Sequence, residues 1–273
     1  MSPSDEVFTI KYFTSNVEYS ITMRWSIKKN ERLLPFLKEE LGLPTKSLRW
    51  LVEHNRCQVN GRVERFCSTK LIPGDRVQLF LEDDKQKLQT IFEDDYLVIY
   101  NKPSHMPSEK LPHLLVHRLD RDTTGLIVCA KTIDAQNRLE ALFEERKVYK
   151  EYRAVVSPPP EQDSGVIKMM MAIHKKREGA VLWKKSKEGL SSITKWQVVK
   201  REKKYATLRL IPKTGRTHQL RLHMKELGCP IVGDVEYGNR EQGRVFGQKL
   251  HASRLKFVHP FTGETVEVHN VKY

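Results

Sequence analysis

The residues most able to do chemistry are crowded into one place. His117-Arg118-Leu119-Asp120-Arg121-Asp122 sets one histidine, two arginines and two aspartates side by side, and Thr123-Thr124-Gly125 leads on into the apolar run Leu126-Ile127-Val128-Cys129-Ala130. A carboxylate among guanidinium groups stays ionised, which suits a nucleophile or a base and not a general acid. Charge at the mouth of a buried strand is tolerated only when partners are supplied. The bland alternative is a solvated turn before a core strand. Two other segments carry groups that could complete a site: Tyr152 within Val148 to Val156, and Arg221 within Thr214 to His223. Several templates can be set aside, since there is no Gly-x-Ser-x-Gly elbow, no phosphate-cradling glycine loop and no metal-spaced histidine or cysteine group. His218 and His223 are five apart, a poor spacing for one metal on one helical face. No metal and no cofactor are expected.

The elements around these groups follow from periodicity. Thr132 to Lys147 reads as an amphipathic helix with Leu139, Leu142 and Phe143 on one face. Val148 to Val156 reads as a strand, and the segment after His218 as a helix whose stripe is Leu220, Met224 and Leu227. Arg221 falls one position off that stripe, able to point along the core edge. Ile91 to Asn101 predicts a turn and strand, and Leu255 to His259 with Thr265 to Val271 a closing hairpin. Strands interrupted by helices in this order predict a mixed α+β domain rather than a doubly wound nucleotide fold.

Upstream lies a different texture. Residues 1 to 23 alternate in a strand-like way and form an N-terminal extension. Leu33, Leu34, Phe36, Leu37 and Leu41 share a helical face that Gly42 and Pro44 end. A second helix over Lys46 to Asn55 turns Leu48, Leu51 and Val52 inward and leaves Arg49 and Arg56 free. Asn60-Gly61 predicts a two-residue hairpin turn within Cys57 to Val63. Residues 24 to 80 hold twelve basic and six acidic side chains, net +6. The polar stretch 82 to 89 reads as a linker, giving a small basic domain over 24 to 81 and a larger one over 90 to 273.

The whole chain of 273 residues carries a formal charge of +14 and an isoelectric point near 9.6, which points to a polyanionic partner, most simply nucleic acid. Residues 168 to 204 concentrate that charge, with twelve Lys and Arg against three Glu. Trp183 and Trp196 lie within the segment, either to stack on bases or to fill the core. The four cysteines are scattered, as in a reduced, cytoplasmic protein. No stretch approaches the roughly 18 apolar residues of a membrane span.

Two resemblances sharpen this reading. Arg32-Leu33 with Phe36-Leu37, Leu51-Val52 with Gln58-Val59-Asn60-Gly61, and Leu71-x-Pro73-Gly74-Asp75 resemble the RNA-binding domain named after small-subunit ribosomal protein S-four. Leu34 stands where that family usually has Asp. His117-Arg118-Leu119-Asp120-x-x-Thr123-Thr124-Gly125, Lys150-x-Tyr152-x-Ala154 and Gly215-Arg216-Thr217-His218-Gln219-Leu220-Arg221 are similar to the RluA family of pseudouridine synthases. Asn101-Lys102-Pro103, Pro230-Ile231-Val232-Gly233-Asp234 and Leu250-His251-Ala252 match it too, in the right order, over roughly residues 90 to 273. Ser104 to Val116 is shorter than the loop usual there.

The resemblance implies the pseudouridine synthase fold, a mixed and mostly antiparallel sheet with flanking helices, preceded by a small α/β RNA-binding domain. It implies Asp120 as the catalytic carboxylate, Tyr152 as the residue that stacks on uracil and takes the proton from carbon 5, and Arg221 as the partner of the aspartate. Arg118 would enter the RNA helix where the target is flipped out, and Leu220 would lie against the base. His117, Thr123, Arg216 and His218 complete the expected substrate contacts, with Arg49, Arg56, Lys102, Lys175 and Lys176 as further RNA contacts. The expected activity is isomerisation of specific uridines in structured RNA, large-subunit ribosomal RNA first and transfer RNA second, by a monomer without a membrane partner. A reading of another class, a non-catalytic RNA-binding ribosome-assembly factor on the same scaffold, is disfavoured by the joint presence of Asp120, Tyr152 and Arg221.

Overall fold

The computed structural model describes residues 20–53, 56–82, 88–177, 180–238 and 247–272. The strand pattern expected over residues 1 to 19 lies outside the described residues. Those up to residue 82 form one compact unit, and those from residue 88 onward a second.

In the first unit the order is β1 (Ser20–Ser26), β2 (Glu31–Arg32), α1 (Leu33–Leu41), α2 (Thr45–Glu53), β3 (Cys57–Val59), β4 (Arg62–Glu64), β5 (Lys70–Leu71) and β6 (Arg76–Glu82). Helix α1 buries Leu33, Phe36 and Leu37, and α2 buries Leu48, Leu51 and Val52. Gly42 ends α1 at φ 61°, its N–H returning to the Lys38 carbonyl at 3.1 Å, a left-handed cap that glycine adopts without steric cost. Asn60 and Gly61 sit at φ 52° and 74°, the two positive values that a tight β3–β4 turn demands. The four-stranded sheet runs β1-β6-β3-β4.

The second unit holds β7 (Gln89–Glu93), β8 (Leu97–Lys102), a 3-10 turn at Ser108–Lys110, β9 (Leu114–Leu115), β10 (Thr124–Ala130), α3 (Ile133–Glu144), β11 (Tyr149–Val156), β12 (Ser164–Arg177), β13 (Ala180–Ser186), β14 (Leu190–Arg201), β15 (Ala206–Pro212), α4 (Gln219–Glu226), β16 (Leu250–Val258) and β17 (Thr265–His269). One sheet collects its strands in the order β13-β12-β14-β15-β11-β16-β10-β8-β7, with β17 beside β16 and β9 beside β10. The pairing is antiparallel throughout except between β10 and β16, where Thr124 faces His251 and Gly125 faces Ala252. The basic segment over 168 to 204, left without a secondary-structure reading from sequence, forms the long strands β12, β13 and β14.

Every residue of β10 is buried. Leu126, Ile127 and Val128 are fully so, and burying each contributes about 1.5–3 kcal/mol. That gain is large enough to offset a charged turn at the strand's start. Thr132 caps α3, its hydroxyl accepting the Ala135 N–H at 3.2 Å. Trp196 is buried against Leu208, Leu210 and Leu220, and Trp183 packs beside Met171, Leu222 and Tyr237, so both tryptophans belong to the core.

Candidate active site

Asp120 stands at the start of a turn that enters β10. The Thr123 N–H returns to the Asp120 carbonyl at 3.1 Å and closes that turn. Just before it, the Ser108 hydroxyl donates to the Leu119 carbonyl at 2.9 Å and accepts the Leu119 N–H at 3.1 Å. Just after it, Asp122 takes Nε and Nη2 of Arg121 and faces Nδ1 of His105 at 3.0 Å. Burial works to raise the Asp122 carboxyl, but the bonds from His105 and Arg121 outweigh it and hold the group well below the usual carboxylate range. Backbone and side chain are thus fixed on both flanks of Asp120, and its own carboxylate is left for longer-range contacts.

Those contacts come from the loop before α4 and from α4 itself. Gln219, the first residue of α4, accepts from the Thr214 hydroxyl at 2.7 Å and from the Arg216 N–H at 3.1 Å, and donates to the Ile193 carbonyl and the Thr194 hydroxyl at 3.0 Å each. His218 sits at φ 58°, so the chain reverses into the helix there. One turn into α4, Arg221 Nη1 reaches Asp120 Oδ2 at 3.2 Å. Its Nε and Nη2 grip Asp234 at 2.7 and 2.9 Å, a two-point guanidinium–carboxylate clamp. The Asp234 side chain is 0% exposed and accepts three more bonds, from the N–H groups of Glu236 and Tyr237 and from Gln248 Nε2, each at 3.0 Å. Burial opposes charge on both partners; their mutual attraction prevails, keeping Arg221 firmly protonated and Asp234 below the usual carboxylate range.

His218 Nε2 lies 3.9 Å from the same Asp120 oxygen, and His218 Nδ1 lies 3.0 Å from the Tyr237 hydroxyl. Burial, then the charge of Arg221, pushes the His218 imidazole down, so it stays neutral near pH 7. Tyr237 also lies under the Arg221 guanidinium, 5.1 Å from ring centre to Cζ.

Asp120, His218 and Arg221 border an open cleft of about 790 Å³. His117, Arg118, Asp120, Thr123 and Tyr152 line it from one side of the sequence pattern, and Arg216, His218, Leu220 and Arg221 from the other. All nine residues assigned to catalysis or substrate contact are therefore brought together. Burial first, and the charge of Asp120 second, raise the Tyr152 phenol, so it remains protonated where it lines the cleft. That favours stacking over the role of a base in the resting site. His117 stacks on Phe143 at 4.4 Å and accepts the Val128 N–H at Nε2; burial and then Lys150 push its imidazole down to about 3. Arg118 is 64% exposed and, among the described residues, pairs with Glu109 at 3.4 Å.

Two expected RNA contacts are corrected. Lys102 is 0% exposed and donates to the carbonyls of Pro103, Met106 and Arg121 at 2.8–3.0 Å. Burial lowers it to about 8, and its work is to bind the segment after β8 to the turn that carries Asp120. Arg56, expected to be free, is 1% exposed with its guanidinium over the Trp50 ring at 5.3 Å. Arg49 and Lys175 are exposed, and Lys175 is not among the residues that line the cleft. The Lys176 side chain lies outside the described residues. Sequence reasoning gave no role to Asp234, Tyr237 or Gln248; Asp234 was visible only as the end of the Gly233-Asp234 motif. Among the described residues no group of three His, Cys, Asp or Glu could hold a metal ion.

A carboxylate held by arginine and a tyrosine thus line one open cleft. The sequence model of the family described as RNA pseudouridylate synthase matches residues 110–226. Ribosomal large subunit pseudouridine synthase D of Vibrio cholerae is 35% identical over 264 residues, covering 81% of this chain and 80% of the relative. An uncharacterized RNA pseudouridine synthase of Bacillus subtilis, YlyB, is 30% identical over 88% of this chain and 90% of its own. Among solved structures, human RNA pseudouridylate synthase domain containing 1 superposes with a TM-score of 0.62 at 25% identity, over 68% of this chain and 84% of that one. The chain belongs to the RNA pseudouridylate synthase family, isomerases that convert uridine in RNA to pseudouridine.

Proposed function

We propose that this enzyme modifies uridine in large-subunit ribosomal RNA, with Asp120 as its catalytic carboxylate. The observation that carries the reading is the placement of Asp120, Tyr152 and Arg221, drawn from three distant segments, around one cleft. A stacked uridine must be extruded before its glycosidic bond can be reached, at a cost of a few kcal/mol. Arg118 fills the gap left in the helix, while Tyr152 and Leu220 replace the lost stacking. Asp120 attacks the anomeric carbon or the ring; the bond from carbon 1′ to N1 breaks, the base turns, carbon 1′ joins carbon 5, and the bond to Asp120 breaks to return the free carboxylate. Carbon 5 then loses its proton and N1 gains one, so the product is an isomer with nothing added. His117, Thr123, Arg216 and His218 hold the substrate around that event.

The ribosomal substrate is supported by the names of the curated relatives from Vibrio cholerae and Pasteurella multocida, both called ribosomal large subunit pseudouridine synthase D. The positive charge and the exposed lysines of β12 to β14 support the RNA partner. We take residues 24 to 81 to be an RNA-binding domain, 82 to 89 its linker and 90 to 273 the catalytic domain. The enzyme acts as a monomer, in the cytoplasm where ribosomal RNA is found; among the described residues no helix is long and apolar enough to cross a membrane.

Carbodiimide mapping of pseudouridine in ribosomal and transfer RNA tests this, comparing cells with the wild-type gene, a deletion and Asp120→Ala. A large-subunit site that disappears in the deletion and stays absent with Asp120→Ala supports the proposal. A site lost only from transfer RNA moves the substrate. Restoration of every site by Asp120→Ala sinks the catalytic assignment and favours an RNA-binding assembly factor.

A further inference from the structure

Two residues of one short segment, Asp234 and Tyr237, stand behind the two donors that face Asp120. Asp234 engages Arg221 through Nε and Nη2, so Nη1 alone is left to point at Asp120. Without that clamp a guanidinium would turn its two-pronged edge onto Asp120, the geometry it prefers with any carboxylate. Tyr237 does the equivalent for His218. Its hydroxyl accepts the Trp183 N–H at 2.9 Å, and its single proton has His218 Nδ1, 3.0 Å away, to go to. Nδ1 then accepts, and the ring proton of the neutral imidazole sits on Nε2, aimed at Asp120.

Both aimed donors meet the same atom. Arg221 Nη1 is 3.2 Å and His218 Nε2 3.9 Å from Asp120 Oδ2, and among the described residues no hydrogen bond falls on Oδ1. The Asp120 side chain is 19% exposed, at the border of the cleft. The carboxylate is thus split into a held oxygen and an open one.

We propose that Asp234 and Tyr237 are positioning residues for the isomerisation: by fixing Arg221 and the tautomer of His218, they confine the contacts of Asp120 to Oδ2 and leave Oδ1 as the oxygen that reacts. This rests on Asp120 being the catalytic carboxylate. Neither residue touches the cleft through a group of its own in this scheme; each acts through the donor it holds. Asp234 is also tied to the Asp120 turn from behind, since Gln248, which donates to it, faces the Thr123 hydroxyl at 3.5 Å.

The test is a pair of double-mutant cycles on the full chain, with kcat, RNA affinity and melting temperature measured for each variant. Tyr237→Phe keeps the ring and removes only the hydroxyl; it should lower kcat about tenfold while leaving RNA affinity within about twofold. In a His218→Ala background the same change should have no further effect on kcat, because nothing is left to orient. Asp234→Asn should lower kcat more than Tyr237→Phe, and should have little further effect in an Arg221→Ala background. Additive losses in the Tyr237 cycle overturn the proposal, as does a kcat loss that tracks the melting temperature. Should Asp234→Asn fail to fold, the Tyr237 cycle decides alone. A wild-type enzyme inactive on every RNA would instead sink the parent reading, so the two failures look different.

Discussion

Arg221 and Asp120 lie 101 residues apart in the chain, yet Nη1 of the first and Oδ2 of the second are 3.2 Å apart. The pair exists because the same guanidinium is anchored on its far side by Asp234, which lysine could not imitate. An ammonium offers one charge centre and cannot bridge two carboxylates with fixed geometry. Arg221→Lys should therefore lower kcat about a hundredfold while the protein stays folded. Single-turnover kinetics with unchanged circular dichroism would bear this out; near-wild-type kcat would show that the bridge is dispensable.

Asp120→Asn keeps shape and removes charge. Because the flanking turn is fixed by Ser108, Thr123 and Asp122 rather than by the carboxylate, the variant should fold and bind RNA normally but form no pseudouridine. A melting temperature lowered by more than about 4 °C would mean that Asp120 is chiefly a structural ion-pair partner.

Gly125 sits at φ 107°, and a Cβ there would lie 2.3 Å from the Ala252 carbonyl oxygen. Strain and overlap act together, so Gly125→Ala should destabilise the second unit by about 3 kcal/mol or more. Urea titration reads this directly, and a destabilisation below about 1 kcal/mol would contradict the close pairing of β10 with β16.

Three histidines in the sheet region are held neutral. Burial pushes His223 and His251 down to about 4, and burial with Lys150 nearby pushes His117 down to about 3. Their folded affinity for protons is below that of the unfolded chain, so the unfolded state binds protons first as pH falls. The stability they contribute is fully present above about pH 6.5 and is lost as pH drops toward 4, by about 1.4 kcal/mol per pH unit for each site. Melting temperature should fall steeply over that window, and His251→Gln should flatten the slope. An unaltered slope would show that His251 is not among the groups responsible.

The exposed lysines and the buried one should behave oppositely. Changing Lys168, Lys184 or Lys195, all exposed, to Gln should weaken RNA binding and reduce the salt slope by up to about 0.9 for each phosphate no longer neutralised. Lys102→Met should leave the salt slope alone and lower stability, since three carbonyls would be left without their donor. A reduced slope for Lys102→Met would return that residue to the RNA surface.

Much of this was legible in the sequence, for physical reasons. The apolar face of α1 and the Asn60-Gly61 turn are local signals, and they held to within a residue or two. The first half of β16 was missed because Leu250, His251, Ala252 and Ser253 are all buried, with β10 on one side and β11 on the other, so no polar alternation marks the strand. Lys102 was misread because a lone lysine is almost never buried, and only the folded chain shows the three carbonyls that make burial tolerable. Asp234 reads as an ordinary turn aspartate after Gly233. Its partner, thirteen residues earlier on a helix, is fixed by tertiary packing that no spacing rule encodes.

The insertion of β16 between β10 and β11 sets a schedule for the protein's own synthesis. The turn bearing Asp120 is translated before the middle of the chain, but the strand that seats β10, and Gln248 beside it, come after residue 247. At about 5–20 residues per second, several seconds separate the two on the ribosome. Throughout that interval the nascent chain holds the turn of Asp120 without the strand that β10 pairs with.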